Sequence, residues 1–317
     1  MTTSELIKVY LVARRAHGVK LTSRGRILYK FARDTGDRPL AEVTPEEVAA
    51  FLRGRVLSST WTSRYATVAG LYRFAIARGY VAQSPLPENP PKLPPPLTPY
   101  VYSREELHRL LGATSILESP ISPLRALTYR TLLLVLYGAG LRVSEAIRLR
   151  LCDVDLQERV LTIRDTKFYK SRLVPIGPQL ASVLAEYIEQ RSVLPATVGD
   201  QSALLSTLRG RHQRYPRVNT LFQRVRASAG IVRPPGEPRP PRLHDLRHTA
   251  AVHRVVAWYQ EGKDVQRLLP HLATYLGHVN IAATQRYLQM TPELLHEANQ
   301  RFLAYAEADV DEGLDHA

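Results

Sequence analysis

Four short stretches of this 317-residue chain concentrate side chains that could act on a phosphate group. In chain order they are GLRVSEA with Arg142, TKFYK with Lys167 and Lys170, HDLRH with His244, Arg247 and His248, and LGHVNIAATQRY with His278 and Tyr287. An arginine stays charged and presents a planar fork that fits two oxygens of one phosphate. A lysine can serve as a general acid, because its pKa falls readily in a suitable environment. A tyrosine hydroxyl, with an ordinary pKa of about 10, needs a base or a strong positive potential to attack at neutral pH.

Taken one at a time, these residues have ordinary explanations. Tyr287 would be a packing residue of a helix, the lysines would mark a solvated hairpin tip, and Arg142 would pair with Glu145 three positions later. Taken together, they supply what phosphodiester transfer without a metal requires: a nucleophile, cations that hold the non-bridging oxygens, and a proton donor for the leaving group. The set therefore predicts phosphodiester transfer.

A metal site is the competing interpretation of HDLRH. His244 and His248 are four positions apart, as two zinc ligands on one helix face would be. The glutamate of the HExxH motif is replaced by the shorter Asp245, and Arg247 places a cation beside the second histidine. The start of this helix could equally bind an anion, because its unpaired N–H groups and its dipole favour negative charge. We therefore predict no metal site and no other cofactor.

The composition favours a nucleic-acid partner and a reducing compartment. The formal charge of +14 and the pI near 10 point to a polyanion. Only seven of the 43 basic residues are lysines, a bias that a GC-rich genome could also produce. The single cysteine, Cys152, excludes an internal disulfide and a multi-cysteine zinc site. No apolar run approaches the roughly 20 residues that span a bilayer, and the N-terminus does not read as a signal peptide, so we expect a cytoplasmic protein.

A proline-rich stretch divides the chain into two predicted domains. Eight of the fifteen residues from Pro85 to Pro99 are proline, which favours an extended linker over a helix or a sheet. The domain before it, residues 1–84, is predicted to be all α-helical, with helices over Ser4–Ala16, Ser23–Asp34, Pro45–Gly54 and Thr60–Arg78. The third helix opens with a capping box from Thr44 to Glu47. The fourth is predicted to bury one face, formed by Tyr65, Val68, Tyr72, Ala75 and Ile76.

Cations of this first domain could contact DNA phosphates, although a helical bundle that binds another protein would look the same. They are Lys20, Lys30, Arg53, Arg55, Arg64 and Arg73. In the second domain, Lys170 and Arg172 of the predicted hairpin are further candidates for DNA contact.

The second domain, residues 100–307, is predicted to combine helices with a small antiparallel sheet. Its first helix begins with a capping box from Ser103 to Glu106, and an apolar helix over Leu124–Tyr137 ends at a glycine turn. Strands are predicted at Asp153–Leu156, Arg159–Arg164 and Arg172–Ile176, and helices at Gln179–Gln190, Val218–Ala229 and His244–Gln260. The chain then reads as helical to about Glu307 and ends in an acidic tail, residues 308–317, which we expect to be disordered.

In their order and approximate spacing, GLRVSEA, TKFYKSRLVPIG, HDLRH and LGHVNIAATQRY resemble the motifs of the tyrosine recombinase, or phage integrase, family. The stretch PLAEVTPEEVAAFL resembles the core-binding domain of that family, so the likeness spans about residues 5 to 295. The resemblance implies an all-α core-binding domain, which clamps DNA, and an α+β catalytic domain. It also implies a site-specific recombinase, an integrase or mobile-element transposase, that cleaves and rejoins DNA without metal or ATP.

The resemblance implies a role for each of six matched residues at one phosphate. Tyr287 would attack the scissile phosphate and form a 3′-phosphotyrosyl bond, and Lys167 would protonate the leaving 5′ oxygen. The other four would assist proton transfer at the tyrosine (His244) or hold the phosphate oxygens (Arg142, Arg247 and His278).

The resemblance also implies partners. Members of the family act as tetramers on two double-stranded DNA sites, so we expect a homotetramer, or an assembly with related recombinases, and no membrane contact. A helix at Leu294–Glu307 would dock on a neighbouring subunit. Two alternatives remain open: a non-catalytic DNA-binding regulator, and a DNA-relaxing enzyme like the type IB topoisomerases.

The chain departs from the family pattern at two places. Phe168 stands where the hairpin usually has a glycine after the lysine, which leaves open whether Lys167 or Lys170 reaches the phosphate. The stretch between Arg247 and His278 is longer than usual, which predicts an extra loop near Gly262.

Overall fold

The computed structural model describes residues 1–16, 21–53, 59–87, 99–164, 171–193, 199–233, 235–236 and 239–278. These residues form two compact units, with the boundary between residues 87 and 99. Most of the predicted linker, the predicted helix Leu294–Glu307 and the acidic tail lie outside the described residues. So do five of the predicted functional residues, namely Lys20, Arg55, Lys167, Lys170 and Tyr287.

The N-terminal unit contains the four predicted α-helices. They are α1 (Thr3–Ala16), α2 (Thr22–Asp34), α3 (Pro45–Leu52) and α4 (Ser59–Ala77). Helices α1, α2 and α4 pack on one another, and α3 packs on α4. Their apolar faces remove Leu28, Phe31, Val68 and Tyr72 almost completely from solvent, and burial of such side chains is the main stabilising contribution to a unit of this kind.

Short-range signals fix the start of α3. The Thr44 hydroxyl accepts a hydrogen bond from the backbone N–H of Glu47, and the Glu47 carboxylate accepts one from the backbone N–H of Thr44 at 2.9 Å. The predicted capping box is therefore confirmed. The prediction that Ile76 is buried is wrong. This residue is 40% exposed, because it shares the solvent-facing side of α4 with Arg73.

The C-terminal unit is built around an apolar helix. Its helices are α5 (Arg104–Gly112), α6 (Arg125–Gly138), α7 (Val143–Ala146), α8 (Pro178–Ser192), α9 (Tyr215–Ser228), α10 (Asp245–Gln260) and α11 (Val265–Leu276). Helix α6 packs against α7, α8 and α10, and α10 packs against α11. Leu132, Val135 and Leu136 of α6 are almost completely buried. The second predicted capping box, from Ser103 to Glu106, is confirmed at the start of α5.

A three-stranded antiparallel sheet follows α7 in the chain. Its strands β1 (Val154–Asp155), β2 (Val160–Ile163) and β3 (Arg172–Pro175) are neighbours in this order. Leu161 of β2 faces Val174 of β3, and both are completely buried. The predicted fold class, mainly α-helical with a small antiparallel sheet, is confirmed, although each strand is shorter than the sequence predicts.

The connection between α10 and α11 is a short turn. Helix α10 ends at Gln260 and α11 begins at Val265, and Gly262 takes the left-handed conformation, with φ +71°. The prediction of an extra loop near Gly262 is therefore wrong, because the two helices take up most of the residues of this stretch. Within the described residues, no helix combines the length and the apolar character of a membrane-spanning segment.

Candidate active site

The turn after α6 brings Arg142 and Glu145 together. Gly140 has φ +59°, and a Cβ at this position would lie 2.8 Å from Cδ2 of Leu276, so the turn requires glycine. Arg142 then precedes the short helix α7. Its Nη1 donates to Oε1 of Glu145 at 2.8 Å, and its backbone N–H donates to Oε2 at 2.9 Å.

The side chain of Glu145 is only 8% exposed and contacts three arginines. Arg172, at the start of β3, donates Nη1 to Oε1 at 3.0 Å and Nη2 to Oε2 at 2.9 Å, a bidentate pair. Nη1 of Arg247 lies 3.9 Å from Oε2. One carboxylate therefore gathers guanidinium groups from the start of α7, from β3 and from α10.

Arg247 is buried despite its charge, with 1% of its surface exposed. Its Nη1 donates to the carbonyl of Gly140 at 2.6 Å. Its Nη2 donates to the carbonyl of Leu276 and to Nε2 of His278, the latter at 3.1 Å. A buried guanidinium is tolerated when its N–H groups find acceptors. Arg247 thereby joins the glycine turn after α6 to the end of α11.

Three successive carbonyls at the end of α11 each accept a hydrogen bond from a different arginine. The pairs are Arg172 Nε with Tyr275 O at 3.2 Å, Arg247 Nη2 with Leu276 O, and Arg142 Nη2 with Gly277 O at 2.9 Å. The last carbonyls of a helix lack partners within it, and the helix dipole favours cations at this end. The end of α11 therefore aligns the three guanidinium groups.

Gly277 is the residue that allows this close approach. It ends α11 in the left-handed conformation, with φ +67°, and a Cβ there would lie 2.9 Å from Cζ of Arg172. The backbone N–H of the next residue, His278, donates to the carbonyl of Ala273 at 2.9 Å. The turn thus holds His278 against the arginine cluster.

The start of α10 is fixed by a buried carboxylate and a threonine. Asp245 is 2% exposed and accepts hydrogen bonds from the backbone N–H and from Nη2 of Arg242, both at 2.7 Å. The Thr249 hydroxyl donates to the carbonyl of Asp245 at 2.9 Å and accepts from the backbone N–H of Tyr102 at 3.0 Å. The carboxylate that a zinc site would use is therefore engaged by arginine.

The histidines of the site are neutral at pH 7. The rings of His244 and His248 pack edge to face, with centroids 5.1 Å apart. Burial is the main cause that lowers the pKa of both rings, that of His248 to about 3, and the charges of Arg247 and Arg142 add to the shift at His244. Burial, followed by Arg247, lowers the pKa of His278 to about 4. Among the residues that the structure describes, no three His, Cys, Asp or Glu side chains are grouped as metal ligands would be.

The cluster has a net positive charge. Burial alone would raise the pKa of Glu145, but the hydrogen bonds and charge of Arg172, together with the hydrogen bonds of Arg142, outweigh it and hold this pKa at about 2. The carboxylate is therefore ionised at neutral pH. Three positive charges and one negative charge leave a net charge of +2 among Arg142, Arg172, Arg247 and Glu145. Such a concentration of charge favours a phosphate.

The structure brings together four of the six predicted catalytic residues, which are Arg142, His244, Arg247 and His278. The other two, Lys167 and Tyr287, lie outside the described residues. The sequence did not reveal the central position of Glu145. Its one signal was the i,i+3 spacing from Arg142, which an ordinary surface pair shares.

Arg172 does not lie where its predicted role in DNA contact would place it. Its side chain is 13% exposed, and Nε, Nη1 and Nη2 all donate to acceptors within the protein. Leu173 is instead exposed, at 66%, because successive residues of a strand point to opposite faces. The guanidinium of Arg172 therefore takes part in a partly buried ion pair with Glu145 instead of facing solvent.

The predicted DNA-contacting residues of the N-terminal unit differ in their surroundings. Arg53 and Arg73 are exposed. Lys30 pairs with Asp34 on α2, and Nη1 of Arg64 donates to the carbonyls of Phe51 and Arg53, both at 3.2 Å. Contact of these residues with DNA stays a prediction.

Comparison with known proteins connects this site to a family. The sequence matches the family model described as "Phage integrase family" over residues 102–293. It is 37% identical over 308 residues to a Sinorhizobium fredii protein that bears the name integrase/recombinase y4rB, covering 95% of this chain and 96% of the relative. It is 31% identical to tyrosine recombinase XerC of Oceanobacillus iheyensis, covering 86% of this chain and 85% of the relative. The fold resembles that of a lambda integrase tetramer bound to a Holliday junction, with TM-score 0.65, 18% identity and coverage of 90% of this chain and 77% of that chain.

Proposed function

The chain belongs to the phage integrase family, and on that premise we propose that it breaks and rejoins DNA through a covalent bond between Tyr287 and a 3′ phosphate. It is a tyrosine-type, site-specific DNA recombinase. The observation that carries the proposed mechanism is that side chains from the start of α7, the start of α10 and the end of α11 lie together in one cluster. These side chains belong to Arg142, His244, Arg247 and His278.

Arg142 and Arg247 are suited to hold the non-bridging oxygens of the scissile phosphate. Charge on those oxygens grows as a fifth oxygen approaches phosphorus, so cations that are already in place stabilise the transition state more than the ground state. The net charge of +2 around Glu145 supports this role. His278, whose Nε2 accepts from Arg247 at 3.1 Å, can donate a hydrogen bond to phosphate from its other ring nitrogen.

Tyr287 supplies the attacking oxygen. Its phenol loses a proton as the new O–P bond forms, and we assign His244, which is neutral at pH 7, to assist that transfer. The bond from phosphorus to the 5′ oxygen breaks, and Lys167, or Lys170 in its place, gives a proton to the leaving oxygen. A 5′-hydroxyl then attacks the phosphotyrosyl bond, which joins the strands and releases the tyrosine. The covalent bond conserves the energy of the phosphodiester, so neither ATP nor a metal is required in this scheme.

Recombination also needs DNA and several subunits. We assign residues 100–307 to the catalytic domain, residues 85–99 to the linker and residues 1–84 to a domain that clamps double-stranded DNA. The cations assigned to backbone contact in this domain are Lys20, Lys30, Arg53, Arg55, Arg64 and Arg73. Exchange between two DNA sites calls for four active sites, so we assign a tetramer, and the lambda integrase tetramer on a Holliday junction supports this. We place the reaction in the cytoplasm, in the integration or transposition of mobile DNA.

A nicked suicide substrate tests the mechanism. On such DNA the fragment with the released 5′-hydroxyl diffuses away, so the covalent protein–DNA adduct accumulates and can be separated on a denaturing gel. We expect adduct from the wild-type protein and none from Tyr287→Phe. Tyr259→Phe is the matched control, because Tyr259 lies twelve residues beyond Arg247 on the same helix, about 18 Å away.

Three other outcomes would contradict the proposal. Adduct formation by Tyr287→Phe would remove the tyrosine from its role. DNA binding by the wild-type protein without adduct on any related site would favour a non-catalytic regulator. Relaxation of supercoiled plasmid without a recombination site, by a monomer, would favour an enzyme like the type IB topoisomerases.

A further inference from the structure

Arg172 links three parts of the site with one side chain. It begins β3, directly after the segment that contains Lys167. Its fork binds both oxygens of Glu145, at 3.0 and 2.9 Å, and its Nε donates to the carbonyl of Tyr275 at 3.2 Å. We propose that Arg172 is a positioning residue for DNA cleavage, which keeps Arg142 and Arg247 directed at the phosphate. This inference rests on the recombinase mechanism proposed above.

The first part of the argument is electrostatic. Oε1 of Glu145 lies 2.8 Å from Nη1 of Arg142, and its Oε2 lies 3.9 Å from Nη1 of Arg247. Glu145 therefore competes with a phosphate for the same two guanidinium groups. Arg172 engages both carboxylate oxygens and raises the net charge of the cluster from +1 to +2. The charge of the two phosphate-holding arginines thus remains available to the substrate.

The second part of the argument is geometric. Pairing of β2 with β3 sets Arg172 opposite Ile163, so the sheet fixes its backbone. From there the guanidinium reaches the end of α11, where the backbone of Gly277 leaves no room for a Cβ. His278 follows immediately. Arg172 therefore couples the strand beside the lysine-containing segment to the helix end that precedes the nucleophile.

A lysine at this position would preserve only part of the function. Its ammonium group is a point charge and lacks the planar fork that binds two carboxylate oxygens while a third N–H group reaches a carbonyl. Arg172→Lys should keep the net charge of the cluster and lose its geometry, whereas Arg172→Gln should lose both. The pair of variants separates the two contributions.

The test compares cleavage of two nicked suicide substrates under single-turnover conditions with saturating protein. One substrate carries the ordinary scissile phosphate. The other carries a methylphosphonate, in which a methyl group replaces a non-bridging oxygen and removes the negative charge. We expect Arg172→Gln to slow cleavage of the phosphate about 10²-fold, the size of effect that a displacement of about 1 Å produces. The methylphosphonate should be slowed much less, because it depends less on positive charge, and Arg172→Lys should give an intermediate loss of about 10-fold.

Arg191→Gln is the matched control. Arg191 is also a buried arginine of this unit, and its Nη2 donates to the carbonyl of Ala203 at 2.9 Å, away from the residues that form the site. This variant should change the rates on both substrates by the same factor. Thermal unfolding establishes that each variant is folded. If Arg172→Gln does not fold, the two substrates are compared with Arg172→Lys instead.

The outcomes distinguish this inference from the proposed function. Absence of adduct from the wild-type protein would defeat the recombinase mechanism itself. If the wild-type protein forms adduct and Arg172→Gln cleaves the phosphate at the wild-type rate, only the positioning role would be overturned. Equal slowing on the two substrates would overturn it as well, because a general loss of structure does not depend on the charge of the phosphate.

Discussion

Replacement of Glu145 by glutamine measures how much the negative charge between the three arginines contributes to the free energy of unfolding. Glu145→Gln preserves the shape of the side chain and removes its charge. The pKa of Glu145 is about 2, compared with an ordinary value of 4.5, and this difference corresponds to about 3 kcal/mol of stability at pH 7. We therefore expect the free energy of unfolding of the variant to be about 3 kcal/mol below that of the wild-type protein at pH 7.

The difference in stability should depend on pH in one direction. Because the pKa of Glu145 is lower in the folded than in the unfolded protein, its contribution is nearly complete above pH 4.5 and is lost as the pH falls towards 2. At pH 3 less than half of the difference should remain. Glu186→Gln, at an exposed position of α8, should change stability by less than about 0.5 kcal/mol throughout.

Urea unfolding between pH 3 and pH 7 provides the measurement. The chain has two tryptophans, so a Trp61→Phe background leaves the fluorescence of Trp258, in α10, as the reporter of the C-terminal unit. The midpoints and slopes give the free energy of unfolding of each protein. Equal stability at pH 7, or a difference that stays constant from pH 4.5 to pH 3, would show that Glu145 does not hold the cluster together electrostatically.

Two further predictions concern the end of α11 and the general acid. Gly277→Ala should lower the thermal stability by more than the roughly 1–2 kcal/mol of a left-handed backbone alone, because its Cβ would lie 2.9 Å from Cζ of Arg172. Gly199→Ala, with φ +85° and none of the described residues within 4 Å of a Cβ at this position, should show the backbone cost alone, and an equal loss at both positions would argue against the contact. Lys167→Ala should slow cleavage of an ordinary 5′-oxygen substrate far more than that of a 5′-bridging thiolate, which leaves without a proton. Equal slowing of both substrates would show that another residue is the general acid, and Lys170 would be the first to be tested.

The features that the sequence predicts well depend on residues a few positions apart. The capping boxes at Thr44 and Ser103 join residues three positions apart, so a short stretch contains the whole signal. The central contacts of the site are of another kind. Arg172 binds Glu145 across 27 positions, and Arg142 binds Gly277 across 135 positions. Such pairs form only when the fold is complete, and one sequence does not reveal them.

Strand β3 shows a second limit of prediction from one sequence. Leucine is usually buried and arginine usually exposed, so the natural prediction directs Leu173 into the core and Arg172 to the surface. The structure reverses the two, since Arg172 shares the inward face of β3 with Val174 and finds its partner in Glu145. The carboxylate of Glu145, 27 positions away, therefore stabilises the orientation in which Arg172 points inward.

The burial of Arg247 has a consequence for how the protein responds to ionic strength. Dissolved ions screen charges that they can approach, such as those of the exposed Arg53 and Arg73, and they screen an interior guanidinium much less. Added salt should thus weaken the capture of DNA steeply and leave the reaction rate of complexes already formed nearly unchanged. Under the proposed function, affinity and turnover would be set by separate populations of positive charge.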